Sequence, residues 1–317
     1  MKFTKNTKKV KGDASFRSFY RIKKKSFSSI IVHSKKDKKL NLLIYDAVNK
    51  ILIKNNIQAP KLISENYSKN FIEIEDFGNQ TILEYLKRNK KKKYLIFKKI
   101  IKLLQKVQLI KNQRILNFKK KYYIIPKYSS KILFKEAQLF SKWYSPKILS
   151  RLNQLKFQKE YEKLVRLLLK KIKLKNDVFV HRDFHISNLM LIKNEIGLID
   201  SQDALFGNRA YDLASLIDDV RFKSSKIFKK KLFNLYLKSQ ENLDTKSFKN
   251  DFEIISVLRN LKIIGIFTRL AIRDNKKNYL KFIPYTWSLI NYRTKNNKVF
   301  SELKLLLSKN FKYNMIN

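Results

Sequence analysis

The sequence predicts an α+β chain with a small β-rich N-terminal lobe and a larger helical C-terminal lobe. Three observations carry this. Short runs of β-branched and aromatic residues crowd the chain before Gly78, long amphipathic stretches fill it afterwards, and three apolar runs too short for helices interrupt the helical part between Val178 and Ile199. The expected boundaries are residues 1–77 for the first lobe and 78–317 for the second, with a catalytic and metal-binding segment over 178–203.

Taken in order, the runs Ala14–Ile22 and Phe27–His33, separated by Lys23–Ser26, predict an antiparallel hairpin entered through Gly12-Asp13. Leu40–Asn56 carries apolar residues at helical spacing and stops before Pro60, and Phe71–Ile74 reads as a strand. Helices are expected over Thr81–Lys90, Tyr94–Ile110, Lys131–Tyr144, Leu155–Ile172, Ile227–Ser239, Asp251–Ile272 and Tyr279–Tyr292. Strands are expected at Val178–Val180, Leu189–Ile192 and Ile196–Ile199, each bounded by polar residues. Five Gly and four Pro leave little material for long linkers, and 44% hydrophobic content is ample for a core.

The formal charge of +47, from 72 Lys+Arg against 25 Asp+Glu, directs attention to nucleic acid or an anionic surface. Here Lys is spread through nearly every segment beside Asn and Ile, so the excess reads as solvated surface, and no nucleic-acid partner is expected. A basic nucleic-acid-binding protein stays as the alternative from another class. The absence of Cys excludes a thiolate nucleophile and a zinc–cysteine site. The basic start is followed by no apolar h-region, and no run of about 18 apolar residues occurs, so no integral membrane segment is expected and the cytoplasm is the default location.

The chemistry concentrates in VFVHRDFHISNLMLIKNEIGLIDSQD, from Val178. If Leu189–Ile192 and Ile196–Ile199 form a hairpin symmetric about Asn194, then Asn188 and Asp200 face each other at its open end, with Cβ atoms about 4.5–5.5 Å apart. An amide oxygen and a carboxylate so placed suit a magnesium ion that keeps waters and takes phosphate oxygens. Asp183, five residues before Asn188, is then free to take the proton of an attacking hydroxyl. An isolated Asp or Asn reads as a turn or cap residue; their joint occurrence with Asp200 at hairpin register reads as phosphoryl-transfer chemistry. His181 and His185 read as braces of the loop backbone, and Asp212 as N-terminal charge on the helix that carries Leu213, Leu216, Ile217 and Val220.

This segment resembles the catalytic loop and metal-binding hairpin of the aminoglycoside phosphotransferase/choline kinase family, which has the protein-kinase-like fold. Within that family the likeness is to bacterial cell-wall sugar kinases acting on the anomeric hydroxyl of N-acetylmuramate and N-acetylglucosamine. GDASFRSFYRI from Gly12, IEIEDFGNQTILEYL from Ile72 and GIFTRLAIRDNKKNYLKFIPYTW from Gly265 support it. The resemblance implies ATP and Mg2+ as cofactors, a small-molecule sugar as partner, Asp183 as catalytic base, and Asn188 and Asp200 as metal ligands, with His181, Asp203 and Asp212 in support. It also implies that Gly12, Asp13, Ala14, Ser15 and Phe16 cover the nucleotide phosphates and that Glu75, Asp76 and Phe77 form the hinge that meets adenine. Gly12–Phe16 alone reads equally as an ordinary hairpin turn. Another acceptor, an amino alcohol or an aminoglycoside, is the alternative within the class. Glu136, Trp143 and Arg269 fall in stretches suited to an acceptor pocket, and equally to core packing or salt bridging. The chain departs from the pattern in having no Lys in Phe27–His33; His33 sits where a polar residue is wanted, and Lys35 or Lys36 just beyond it is the expected substitute.

Overall fold

The β-branched run at Ser28–His33 lies mid-sheet, paired along both edges. The structure, a computed structural model, describes residues 7–10, 17–24 and 27–311. Its chain divides into two units, one of Met1–Pro126 with Val178–Phe206 and one of Lys127–Asp177 with Gly207–Asn317. In the first, β1 (Thr7–Val10), β2 (Ser18–Lys23), β3 (Ser28–His33), β4 (Leu62–Asn66) and β5 (Phe71–Glu75) make an antiparallel sheet in the order β1-β2-β3-β5-β4.

The β2–β3 register, Ser18 opposite His33 through Lys23 opposite Ser28, is the hairpin expected from its two apolar runs. Period-two alternation then decides which face is dry. Val32, Ile72 and Ile74 pack with Leu42 and Tyr45 of helix α1 (Leu40–Lys54). On the opposite face the Glu73 carboxylate accepts from Lys24 Nζ at 2.7 Å, Ser29 Oγ at 2.6 Å and Ser64 Oγ at 2.9 Å. Burial opposes its charge, but these donors outweigh burial and hold the carboxyl below its usual range. The strands without a sequence signal, β1 and β4, are the two edges of the sheet. An edge strand pairs along one side only and tolerates the lysines and polar residues seen there.

The first unit continues through α2 (Ile82–Arg88), whose start is capped by Thr81 Oγ1 accepting from Glu84 N at 3.1 Å, α3 (Lys93–Gln108) and the hairpin β6 (Arg114–Leu116) and β7 (Tyr122–Ile124). Following the helices α4 (Ser130–Leu139), α5 (Ser145–Ile148) and α6 (Arg151–Lys170), the chain forms β8 (Asn176–Val180), β9 (Leu189–Ile192), β10 (Glu195–Leu198) and β11 (Leu205–Asn208). The expected short strands at Val178–Val180, Leu189–Ile192 and Ile196–Ile199 are thus present, the last shifted by one residue.

The second unit is helical: α4 to α6, then α7 (Ala210–Ile217), α8 (Lys226–Leu237), α9 (Thr245–Arg273), α10 (Ile283–Thr294) and α11 (Ser301–Asn310). The stretch expected as one helix over Lys131–Tyr144 is α-helical to Leu139 and then widens into a π-turn over Phe140–Tyr144. Phe140 there lies among Tyr144, Phe157, Tyr161, Trp287 and Phe311, with ring centroids 5.2–6.0 Å away. The long helix α9 must pass this turn closely. A Cβ at Gly265 would lie 2.3 Å from both the carbonyl carbon and oxygen of Leu139, so only glycine fits. α9 also begins at Thr245 rather than Asp251, because Asp244 caps it by accepting from Lys246 N at 3.1 Å and Ser247 N at 3.0 Å.

Asp218 anchors the same unit. Its carboxylate accepts from Arg293 Nε at 2.9 Å and Nη2 at 3.0 Å, from Lys229 Nζ at 3.0 Å and from Ser256 Oγ at 2.5 Å. Burial disfavours the charge, but the two cations more than offset it and hold the carboxyl far below its ordinary 3.8.

Two outcomes are expected. Ala at an ordinary interior helical glycine stabilises by about 1 kcal/mol, whereas Gly265→Ala is expected to lower the urea midpoint, because the clash is with backbone that cannot turn aside. Asp218 contributes stability above pH 4, and that contribution is expected to fade as pH falls below 3.8 towards its lower folded value, at about 1.4 kcal/mol per pH unit. Asp218→Asn, less stable near neutrality, should lose that part of the slope in urea melts run from pH 5 downwards.

Candidate active site

The chain leaves β8 at Val180 and closes on itself over the next eight residues. The carbonyl oxygen of Asp183 accepts from His185 N at 3.0 Å and from Asn188 Nδ2 at 3.1 Å, while Asn188 N donates to the His185 carbonyl at 2.8 Å. With its nitrogen engaged, the Asn188 amide has its oxygen as the remaining ligand atom. Arg182 holds a left-handed backbone, φ 72°, and its Nη1 donates to the Asp203 carbonyl at 3.3 Å and lies 3.8 Å from Asp203 Oδ1. His181 is wholly buried, and burial pushes its imidazole below the ordinary 6.5 against the pull of Asp183, Asp200 and Asp203. A neutral ring packed edge-on against Phe184 is what this loop contains. The loop is docked from outside by Leu83 N on the Ile186 carbonyl at 3.1 Å and Leu191 N on the Gln80 carbonyl at 2.9 Å.

The β9–β10 hairpin forms, but one residue out of the expected register. Ile192 faces Glu195 and Leu189 faces Leu198, so the turn is Lys193-Asn194 and the pairing carries on to Ile199 N donating to the Asn188 carbonyl at 3.1 Å. Asn188 therefore opposes Ile199, not Asp200. The cause is at the turn: Lys193 takes φ 53°, the left-handed backbone that a tight two-residue hairpin uses at its first position, and Glu195 joins the strand. A one-residue slip ordinarily sends a side chain to the other face of a ribbon. Here the chain itself turns at Asp200, φ 66° and ψ 40°, leaves the ladder and begins the 3-10 turn Ser201–Asp203. Asp200 lines the same cleft as Asn188 as a result.

Besides Arg182 on Asp203, side-chain contacts to Asp200, Ser201 and Gln202 hold that turn. Arg17 pairs with Asp200 through Nη2 and donates from Nη1 to Gln202 Oε1 at 2.7 Å. Ser201 Oγ donates to Asn49 Oδ1 of α1 at 2.5 Å, and Asn49 Nδ2 is fixed on the Pro60 carbonyl at 2.9 Å.

The cleft so formed has a volume of about 290 Å3. Phe19, Ile30 and Ile74 of the sheet, Met190 and Ile199 of the hairpin region, Asn188 and Asp200, and Glu75–Gly78 at the strand exit all line it. Asp76 is consumed locally. Its carboxylate accepts from Arg21 Nε at 2.5 Å and Nη2 at 2.8 Å, from Ser28 Oγ at 2.7 Å and from Gly78 N at 2.9 Å. Burial works against the charge, and these donors still hold it below the usual range. Beside Asp76 the Phe77 ring packs so closely on Gly197 that a Cβ there would lie 2.8 Å from it. Asn188 and Asp200 offer the cleft hard oxygen donors. Among the described residues no group of three His, Cys, Asp or Glu could hold a metal ion. One carboxylate and one amide oxygen fit Mg2+, which completes its shell with water and phosphate, and do not fit zinc.

Of the residues singled out by sequence, Asn188, Asp200, Glu75, Asp76 and Phe77 line this one cleft. Asp183 belongs to the same loop, bonded through its carbonyl to Asn188, but is not among the lining residues. His181 is buried in the loop against Phe184, Asp203 receives Arg182, and Asp212 lies in the other unit, wholly buried in the first turn of α7. Gly12, Asp13, Ala14, Ser15 and Phe16 lie outside the described residues. His33, Lys35 and Lys36 do not line the cleft. Glu136 is engaged within its own unit by Tyr128 Oη at 2.5 Å, Tyr211 Oη at 3.1 Å and Lys262 Nζ at 3.0 Å, the arrangement of a structural carboxylate. Sequence reasoning passed over Arg17 and Arg21. The available signal was parity: they flank Phe19 at two-residue spacing, so all three share one face, and cations on a covered face require acidic partners.

Residues 6–245 match the profile of the phosphotransferase enzyme family. The chain belongs to that family. It is 30% identical over 302 residues to the N-acetylmuramate/N-acetylglucosamine kinase of Neisseria meningitidis serogroup B, covering 92% of this chain and 85% of that relative. Among solved structures it is similar to an ethanolamine kinase of Plasmodium vivax, with TM-score 0.61 and 16% identity over 94% of this chain and 84% of the other. It is also similar to an ADP-bound aminoglycoside phosphotransferase, with TM-score 0.58 and 13% identity over 88% of this chain and 91% of the other. These likenesses establish the protein-kinase-like α+β fold.

In this phosphotransferase the Arg21–Asp76 pair ties β2 to the strand exit. Arg21→Met strands a covered carboxylate and is expected to cost about 3 kcal/mol, against about 1 kcal/mol for Ser28→Ala. Equal urea midpoints for Arg21→Met and the unaltered protein would show that the clamp contributes nothing.

Proposed function

We propose that the protein transfers the γ-phosphoryl group of ATP to a sugar hydroxyl, the anomeric one of N-acetylmuramate or N-acetylglucosamine, in cytoplasmic cell-wall recycling. The observation that carries the chemistry is that Asn188 and Asp200 line one cleft together with Glu75–Phe77 and apolar side chains of the sheet. The acceptor class is supported by 30% identity with the kinase from Neisseria meningitidis over most of both chains. Residues 1–77 and 78–317 are taken as the two lobes of the fold.

The apolar walls from β2, β3, β5 and the β9–β10 region make a slot for a planar base, with the main chain of Glu75–Phe77 at its edge. Asn188 Oδ1 and the Asp200 carboxylate would hold Mg2+, which neutralises charge on phosphate oxygens when bound. Asp183 orients the acceptor hydroxyl. Its carboxylate takes the O–H proton as the acceptor oxygen bonds to the γ-phosphorus and the bond to the β–γ bridging oxygen breaks, releasing ADP and the sugar phosphate. His181, buried against Phe184, keeps the loop backbone in place. Catalysis is positioning and electrostatics, with no covalent work by the chain.

The test is ATP consumption by the purified protein with Mg2+ against N-acetylmuramate, N-acetylglucosamine, choline and an aminoglycoside. Turnover confined to the amino sugars is expected. Turnover with choline or the aminoglycoside alone would move the acceptor to the other branch of the family. Asp183→Asn is expected to lower kcat by about a hundredfold or more with unchanged circular dichroism and nearly unchanged ATP affinity. Full activity in that variant would remove Asp183 as the base.

A further inference from the structure

In protein-kinase-like enzymes the third strand ordinarily supplies a lysine to the nucleotide phosphates. Here that strand reads SSIIVH, and neither it nor Lys35 and Lys36 beyond it brings a cation to the cleft. We propose that Arg17, just before β2, supplies positive charge at the phosphate end of the nucleotide site, acting beside and through Asp200. This rests on the reading of the cleft as the ATP site.

The guanidinium is held from several sides. Nη2 pairs with Asp200 Oδ1, Nη1 donates to Gln202 Oε1 at 2.7 Å, and Cζ lies 5.5 Å from the ring centroids of both Phe19 and Tyr45. Arg17 is not itself a lining residue, but Phe19, Tyr45 and Asp200, which it contacts, all line the cleft, so the cation stands one layer behind the cleft surface. Burial raises the Tyr45 phenol to about 12, with Arg17 pulling the other way, so the ring that carries the guanidinium stays neutral. The Arg17 side chain is only 3% exposed, which keeps its charge from being screened by water.

The arginine within β2 cannot take this part. Arg21 lines the cleft at the strand exit, where Asp76, Asn79 and the Gly78 carbonyl take up its donors. Nor does stability alone account for Arg17. A buried ion pair is frequently no more stabilising than an apolar replacement of the same volume, so its placement against Asp200, a carboxylate that lines the cleft beside Asn188, points to a use for charge there. Arginine suits the place better than lysine would. A planar fork can serve Asp200 and Gln202 together while lying between two rings, which a single ammonium cannot. Arg17 is thus a positioning residue. It keeps the Asp200 carboxylate aimed out of its left-handed turn and sets positive charge beside it.

The experiment measures dissociation constants for ATP, ADP and adenosine by calorimetry on the full chain, with Arg17→Met and Arg17→Lys beside the unaltered protein. Arg17→Met is expected to weaken ATP and ADP by about tenfold or more, a factor that needs only 1.4 kcal/mol, while adenosine changes by less than about twofold. Arg17→Lys should recover most of the loss. An equal loss for adenosine and ATP would mean that Arg17 only shapes the pocket and would overturn the proposal, as would an unchanged ATP affinity. If Arg17→Met does not fold, Arg17→Gln, which keeps donors to Asp200 and Gln202 without the charge, is read the same way. Failure of the unaltered protein to bind any of the three ligands would instead overturn the reading of the cleft as the nucleotide site.

Discussion

The ion pair between Arg17 and Asp200 joins positions 183 residues apart and holds the turn on which the cleft depends. Asp200 leaves the β9–β10 ladder in a left-handed conformation that a residue with a Cβ adopts at a cost of about 1–2 kcal/mol. Several contacts over-determine it: Arg17 on the carboxylate, Arg17 again on Gln202, Ser201 on Asn49 of α1, and the Ile199 amide on Asn188 just before the turn. A residue so strained and so heavily held is where a fold spends stability on position.

The same logic runs through the other carboxylates. Acids are scarce here, 25 against 72 basic residues, and several of them are covered and matched to cations: Glu73 to Lys24, Asp76 to Arg21, Asp218 to Arg293 and Lys229, and Glu136 to Lys262. In each the desolvation of the carboxylate is offset by geometry rather than by proximity alone, with hydroxyl or amide donors filling the remaining lone pairs. The large surplus of Lys is left for the surface, while the few acids tie strands and helices together.

Local pattern made some elements legible. Helix α1 was readable almost to its ends because its apolar spacing is regular and Pro60 follows, and β9 was readable to the residue because LMLI is bounded by polar neighbours. The edge strands β1 and β4 were not, since half-paired strands need little apolar pattern. The early start of α9 depends on one capping side chain, and the π-turn at Phe140–Tyr144 on a backbone approach at Gly265 from more than a hundred residues away. Neither leaves a periodic trace.

What the sequence by itself determined is the chemical set between His181 and Asp203, together with the helical and strand elements that flank it, because residue type, spacing and periodicity are local properties. Tertiary structure alone decided how that set is aimed. The hairpin register differs by one residue from its symmetric reading, and Asp200 reaches the cleft through its backbone turn rather than by standing opposite Asn188. The partner that holds this turn comes from the other end of the same unit. Pairing between charges so distant in sequence is set by desolvation and packing in the folded chain, and nothing in the spacing of either segment encodes it.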